Sequence, residues 1–302
     1  MANQWRIIDL SSFDGGLTTR RGQLVVEPKD AAPTALPWAE LAVVLVGDRT
    51  KLGASVLHVA AEKDVVIMTT DWRGIPKAAS FGWNDHSRVG ARQLAQINLT
   101  LPRKKNAWMR VVKAKVLGQA RVLSLLDRPG AERLKDLALS VRSGDPGNIE
   151  AQAARLYWAR LFDDFYREPN GLDERNLMLN YGYGVLRGHG IKAVLAAGLL
   201  PSVGLFHHGR SNQFNLVDDL IEPFRPVIDF AVASLPSDSS LDDPQVKRLL
   251  VSAAANHFDA NGYGVPFVLE NLAQRLGRYC EGELDKFIVG TWKAPVALLS
   301  EV

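Results

Sequence analysis

Short apolar runs punctuated by Gly, Pro and Asp occupy the first seventy-odd positions. The runs W-R-I-I-D-L (5–10), G-Q-L-V-V-E (22–27) and A-E-L-A-V-V-L-V (39–46) have the length and branched content of strands, and D-V-V-I-M-T-T (64–70) adds a buried one. Residues 53–63 carry apolar positions at helical spacing, so one helix is expected among the strands. His58 falls in it and reads as a packed or partly exposed histidine rather than a ligand. D-W-R-G-I-P (71–76) reads as a turn closing this part of the chain. From Arg88 the apolar period changes to three or four residues. The stretches 89–99, 107–126 and 131–143 predict helices, broken by Pro102 and by the turn at 128–130. S-G-D-P-G-N (143–148) is the sharpest breaker before a new helix over 149–166. Residues 180–187 and 191–200 are apolar and glycine-rich, which predicts helices packed closely on the segment after Gly204; 246–258 and 265–289 also read as helical. The pattern predicts an α+β fold: a small β-rich domain over 1–78, a linker over 79–88 and a larger all-α domain over 89–302.

Composition narrows the class. With 302 residues, 47% apolar and 23% charged, the chain is a folded protein long enough for two ordinary domains. No apolar run approaches the roughly 20 residues that span a bilayer, and M-A-N-Q-W-R-I-I-D-L lacks the features of a signal peptide, so a cytoplasmic protein is expected. The single cysteine, Cys280, excludes an internal disulfide and a cysteine-cluster metal site, and reads as a small buried hydrophobe. A dinucleotide fingerprint, a P-loop and zinc-ligand spacing are all missing, which disfavours a nucleotide cofactor.

The formal charge of +3 says little, but its placement says more. From Arg88 to Arg121 there are nine basic residues and no acidic one, a footprint suited to phosphate binding and hence to nucleic acid. Arg88, Arg92, Arg103, Lys104, Lys105, Arg110 and Lys113, with Arg210 further on, are the candidate backbone contacts.

Candidate chemistry concentrates in G-L-F-H-H-G-R-S-N-Q-F-N-L-V-D-D-L-I-E-P-F-R-P-V-I-D (204–229). Imidazole nitrogen and carboxylate oxygen hold divalent metals, and on a helix Asp218 or Asp219 would share a face with Glu222. A solvated acidic helix start accounts for the same carboxylates equally well. Pro223 and Pro226 predict a short or kinked helix there. Glu150 sits in a first turn, where the helix dipole alone favours it, and His189, between two glycines, reads as a loop histidine.

Three segments then carry a resemblance: N-I-E-A-Q-A-A-R-L-Y-W (148–158), G-L-L-P-S-V-G-L-F-H-H (198–208) and N-Q-F-N-L-V-D-D-L-I-E-P-F-R-P-V-I-D (212–229). With P-W-A-E-L-A-V-V-L-V-G (37–47) and T-D-W-R-G-I-P (70–76), they make the chain similar to the CRISPR-associated integrases, the larger of the two general spacer-acquisition proteins, and most of all to their type II branch. The resemblance implies a β-rich amino-terminal domain, an α-helical catalytic domain and a homodimer. It implies Mg²⁺ or Mn²⁺ held by Glu150, His207 and Glu222. Since adjacent residues point apart, His208 reads as a DNA-facing or supporting residue, and Asp219, three before Glu222, as one that binds a second metal or braces the ligands. The implied reaction is phosphoryl transfer from a DNA 3′-hydroxyl into a CRISPR array, with hydrolysis when water attacks instead. The implied partners are protospacer and leader-repeat duplex and a small companion Cas protein that joins two dimers, with the type II effector nuclease as a further candidate. A metal-dependent repair nuclease with the same triad, and a noncatalytic DNA-binding scaffold, are the rival readings.

Overall fold

The computed structural model describes residues 6–71, 76–82, 86–169 and 171–293, and its chain divides into two compact units, 1–85 and 86–302. The first unit contains β1 (Arg6–Leu10), β2 (Gly15–Arg20), β3 (Gln23–Pro28), β4 (Thr34–Pro37), β5 (Leu41–Val46), β6 (Thr50–Leu52), α1 (Ala54–Glu62), β7 (Val66–Thr70) and β8 (Pro76–Ser80). These strands form two four-stranded sheets, ordered β1-β5-β7-β8 and β4-β3-β2-β6. β1, β5 and β7 run parallel, with α1 between the last two. The central strand L-A-V-V-L-V is buried at every position, as expected of a parallel strand covered on both faces. Its core gathers Leu17, Leu24, Trp38, Val44, Val56 and Ile67.

Several elements here differ from the sequence reading. β2, β4 and β6 are short or lack a continuous apolar run, so they carried no strand pattern. β8 pairs antiparallel with β7 and runs through Ala79 and Ser80, taking the first positions of the expected linker. The expected turn falls largely outside the described residues. His58 is exposed on α1, 3.3 Å from Glu62 one turn on.

The second unit is helical: α2 (Val89–Ile97), α3 (Leu101–Leu125), α4 (Ala131–Ser140), α5 (Ile149–Leu161), α6 (Glu174–Ala196), α7 (Asn215–Ile221), α8 (Arg225–Ala233), α9 (Pro244–Ala253) and α10 (Val265–Cys280). Prolines sit in the first turns of α3, α8, α9 and α10, where the missing N–H has no intrahelical partner to lose. Pro223 and Pro226 therefore segment the acidic stretch: α7 ends, a single 3₁₀ turn follows (Glu222–Phe224), and α8 begins.

The two glycine-rich stretches are one helix, α6, rather than two. Asp173 starts it by accepting the Asn176 backbone N–H at 3.0 Å. A Cβ on Gly190 would come within 2.6 Å of Val217, so only glycine lets α7 lie this close. His189 is buried inside α6, not in a loop, and burial together with Lys192 lowers its pKa to about 3. Tyr157 of α5 and Tyr183 of α6 both donate to the buried Asp229 of α8, bracing three helices. The expected last helix ends at Cys280, whose thiol burial pushes up to about 12, in keeping with a packing role. Among the described residues, no helix is long and apolar enough to cross a membrane.

Candidate active site

Helix α3 runs beside α5, α7, α8 and the 3₁₀ turn, and Lys115 projects from its middle. Its ammonium lies 2.7 Å from Glu150 Oε1 and 2.7 Å from Glu222 Oε2, so two carboxylates 72 positions apart face one cation. Glu150 stands in the first turn of α5. Asp145 aims both carboxylate oxygens at that turn, accepting from the N–H groups of Ile149 and Glu150 at 2.9 Å each. Glu222 opens the 3₁₀ turn and is 3% exposed, with its other oxygen 3.3 Å from the Arg225 guanidinium. Its Oε2 is within reach of the ammonium but receives no well-angled hydrogen bond. Burial pushes the Glu222 carboxyl up, yet Arg225 and Lys115 outweigh it and hold the group below the usual carboxylate range. Burial pulls the Lys115 ammonium down, and Glu222 and Glu150 more than reverse this, so it stays charged.

His207 arrives on the loop between α6 and α7, and Asp219 shapes that loop. Fully buried, Asp219 accepts the backbone N–H groups of Leu205, Phe206 and His207 at 2.6, 3.1 and 3.2 Å. Its Oδ1 also lies 2.6 Å from His207 Nδ1. Such convergence leaves no room at Gly204, where a Cβ would overlap the His207 carbonyl oxygen and stand 2.7 Å from Asp219 Oδ2. Asn215 ties the rest of the loop, donating to the carbonyls of Ser202, Gly209 and Asn212 at 3.1 Å and accepting from the Gly209 N–H. Trp108 of α3 supports it from below, stacked on Phe206 at 4.5 Å and meeting the His207 ring edge-on. The hydrogen bond to Asp219 is the largest influence on His207 and raises its pKa against the effect of burial. With Nδ1–H directed at a carboxylate, Nε2 is the nitrogen left for a metal, the usual arrangement of a histidine ligand.

Glu150 and Glu222 thus meet at Lys115, His207 lies near enough to Glu222 for that carboxylate to help raise its pKa, and Asp219 stands directly behind His207. His208 does not join them: it is exposed, and its Nδ1 lies 2.8 Å from the Phe206 carbonyl. Nor do the carboxylates of α7 converge on one another. Asp218 is taken by Arg187 at 2.5 and 2.8 Å, Asp219 by the loop, and Glu222 by Lys115 and Arg225. Among the described residues, no three His, Cys, Asp or Glu side chains stand within coordinating reach of one point. Lys115 fills the gap between the glutamates. The donor set still suits a hard divalent ion: two carboxylates, one of them buried and held charged by its neighbouring cations, and an imidazole oriented through its other nitrogen.

The basic tract divides in two. Arg92 is buried and donates to Glu281, Gln274 and the Ala197 carbonyl, which corrects its expected place among the DNA contacts. Arg103 is likewise committed, donating to the Tyr279 and Leu284 carbonyls while lying 3.9 Å from the Tyr279 ring centre. Arg88 is exposed but doubly bonded to Glu281, and Arg110 reaches Asn106. Lys104, Lys105, Lys113 and Arg210 make no ion pair with the described residues. Sequence reasoning missed Lys115, Asp145 and Asn215, whose partners lie far along the chain or at backbone atoms that no motif marks. Arg225 carried a local signal, three residues after Glu222, and was passed over.

The model of the CRISPR associated protein Cas1 family matches residues 10–249. The CRISPR-associated endonuclease Cas1 of Neisseria meningitidis serogroup C is 36% identical over 256 residues, 82% of this chain and 82% of its own. A Cas1 endonuclease of Francisella tularensis subsp. novicida is 26% identical over 306 residues, covering 91% of this chain and 94% of its own. Among solved structures, a casposase bound to integration product aligns with a TM-score of 0.74 at 20% identity, over 94% of this chain and 92% of that one. A Cas1 protein from Thermotoga maritima aligns at 0.73 and 14% identity, over 95% and 100%. At these identities the structural likenesses speak to the fold alone, which in this chain is mixed, with a strand-rich first part and a helical second part. With the family model spanning most of the length and a relative above one-third identity over four-fifths of it, the chain belongs to the Cas1 family of CRISPR-associated proteins.

Proposed function

We propose that this protein is a divalent-metal-dependent DNA integrase and endonuclease that inserts spacer DNA into a CRISPR array by attack of a 3′-hydroxyl on a phosphodiester. The observation that carries the reading is the meeting of Glu150, Glu222 and an Asp219-oriented His207 beside one helix, in a chain whose named relatives are endonucleases. Mg²⁺ or Mn²⁺ bound there would offset the negative charge developing on the nonbridging oxygens, lower the pKa of the attacking hydroxyl and stabilise the 3′-oxygen of the target strand that departs as its bond to phosphorus breaks. Glu150 and Glu222 would contribute oxygens and His207 its Nε2. Asp219 keeps the Nδ1 proton in place, and Arg225 steadies the far oxygen of Glu222. When water takes the place of the hydroxyl, the same groups support hydrolysis.

The duplex would run along Lys104, Lys105, Lys113 and Arg210, which make no ion pair among the described residues, with Arg110 and Arg88 at its margin. A homodimer, joined to a second by a small companion Cas protein, would carry both ends of the inserted DNA. A similar solved assembly is a Cas6-RT-Cas1–Cas2 complex, which supports a companion of that kind.

Strand transfer of a labelled 3′-OH duplex into a leader-repeat target, with Mn²⁺ and the companion protein, tests the reading. Glu150→Ala and His207→Ala are expected to lose more than the about 10–100-fold that removal of an outer hydrogen-bond partner costs. Products of hydrolysis alone would favour a repair nuclease, and full activity in both variants would favour a noncatalytic scaffold.

A further inference from the structure

The candidate site already contains a cation. Lys115 comes from the middle of α3, whereas Glu150 stands in the first turn of α5 and Glu222 in the 3₁₀ turn, and its ammonium stands between Glu150 Oε1 and Glu222 Oε2 at equal distance. The side chain is only 14% exposed, so the carboxylates see it in preference to solvent cations. Without it, Glu150 and the nearly buried Glu222 would face each other with like charge at short range, an arrangement that a folded protein avoids by spreading the groups or taking up a proton. The two oxygens that the ammonium holds at 2.7 Å belong to the carboxylates proposed as metal ligands, so Lys115 and a divalent cation compete for the same groups.

We infer that Lys115 is a resident counter-ion of the metal site: it holds Glu150 and Glu222 together in the metal-free protein, and the incoming divalent cation must displace it. Lys115 is thus a positioning residue that acts through the two glutamates, resting on the metal-site reading proposed above. A flexible four-carbon stem suits the exchange, because the ammonium can withdraw along α3 without moving the backbone. Arg225 does not share this role. It touches the opposite oxygen of Glu222 and makes no ion pair with Glu150 among the described residues.

The test measures metal binding directly, without substrate. Mn²⁺ affinity, followed by the loss of the free-ion electron spin resonance signal, is compared for the full-length wild type, Lys115→Met and Lys115→Arg. Displacement predicts that Lys115→Met lowers the melting temperature of the metal-free protein and binds Mn²⁺ about tenfold more tightly. Its Mn²⁺-dependent rise in melting temperature should exceed that of the wild type. Lys115→Arg should stay near the wild-type affinity. Unchanged or weaker Mn²⁺ binding in Lys115→Met overturns the inference and leaves the metal site standing. Absence of saturable binding in the wild type, or binding that survives Glu222→Gln unaltered, overturns both. Should Lys115→Met fail to fold, Mg²⁺ titration of ¹⁵N-lysine-labelled wild type decides the matter, with the Lys115 ammonium resonance assigned from Lys115→Arg. That resonance must shift on saturation, and one that stays put refutes displacement.

Discussion

Asp219 gives His207 two properties that pull in opposite directions with pH. Its hydrogen bond to Nδ1 raises the histidine pKa above 6.5, so the protonated pair stabilises the metal-free fold below that value. The contribution fades as pH climbs through the raised folded value. Metal binding needs Nε2 deprotonated, and the same raised pKa lets protons compete to a higher pH than for an ordinary histidine. Mn²⁺ affinity is therefore expected to increase through a midpoint above 6.5 while the melting temperature of the metal-free protein declines over the same interval. In Asp219→Asn that midpoint should move down, with an overall loss of about 10–100-fold in affinity as Nδ1 loses its anchor. Isothermal titration across pH 6–8 would measure both effects, and a midpoint unmoved by the substitution would remove Asp219 from this role. Glu150, His207 and Glu222 are proposed as ligands because three long segments resemble a known family. Spacing alone left the acidic stretch balanced between a site and a solvated helix start. Lys115 was invisible for a physical reason: a lysine within a basic run reads as surface charge until the fold supplies two distant glutamates.

The helices show where local rules sufficed. The breaker at 143–148 placed the start of α5 correctly, since Asp145 and Asn148 both adopt positive φ there and Asp145 gathers the first N–H groups. That start sets the position of Glu150, so the cap serves both the helix and the site. Asp145→Ala should cost about 1 kcal/mol of stability, as cap removals do, and loosen Glu150 from Lys115. Chemical denaturation would report the first, and weaker Mn²⁺ binding the second. Proline arithmetic was harder to read from sequence. Pro223 and Pro226 suggested a kink, and the chain uses them to open two successive turns, presenting Glu222 at the junction rather than on a helix face. Most of all, α3 was legible as a helix but not as the organiser. Trp108 and Lys115, seven residues and two turns apart, lie on one face, the first supporting the His207 loop and the second joining the glutamates.

Over the whole chain, the change from strand period to helix period near Arg88 was plain in the sequence, while the pairing order within the first unit was not. Parallel neighbours such as β1 and β5 lie far apart along the chain, and a period-two pattern does not encode which strands meet. Charge was misread in a more instructive way. The nine cations of 88–121 form one footprint in sequence, yet the fold withdraws Arg92 and Arg103 to fasten α2 and α3 to α10, and pairs Arg88 with Glu281. A long-range counterion release argument applies only to cations that remain unpaired. Each of Lys104→Ala, Lys105→Ala and Lys113→Ala is therefore expected to weaken duplex binding similarly across sequences. Each should also reduce the slope of log affinity against log salt by about 0.9 if its ammonium meets a phosphate. Arg92→Ala should behave differently: a lower melting temperature, because Glu281 Oε2, Gln274 Oε1 and the Ala197 carbonyl lose their donor, with an unchanged salt slope in the protein that remains folded. Fluorescence anisotropy at graded salt, with thermal melts of the same samples, separates the two classes. A reduced slope for Arg92→Ala, or no reduction for any of the three lysines, would move the DNA path away from these cations.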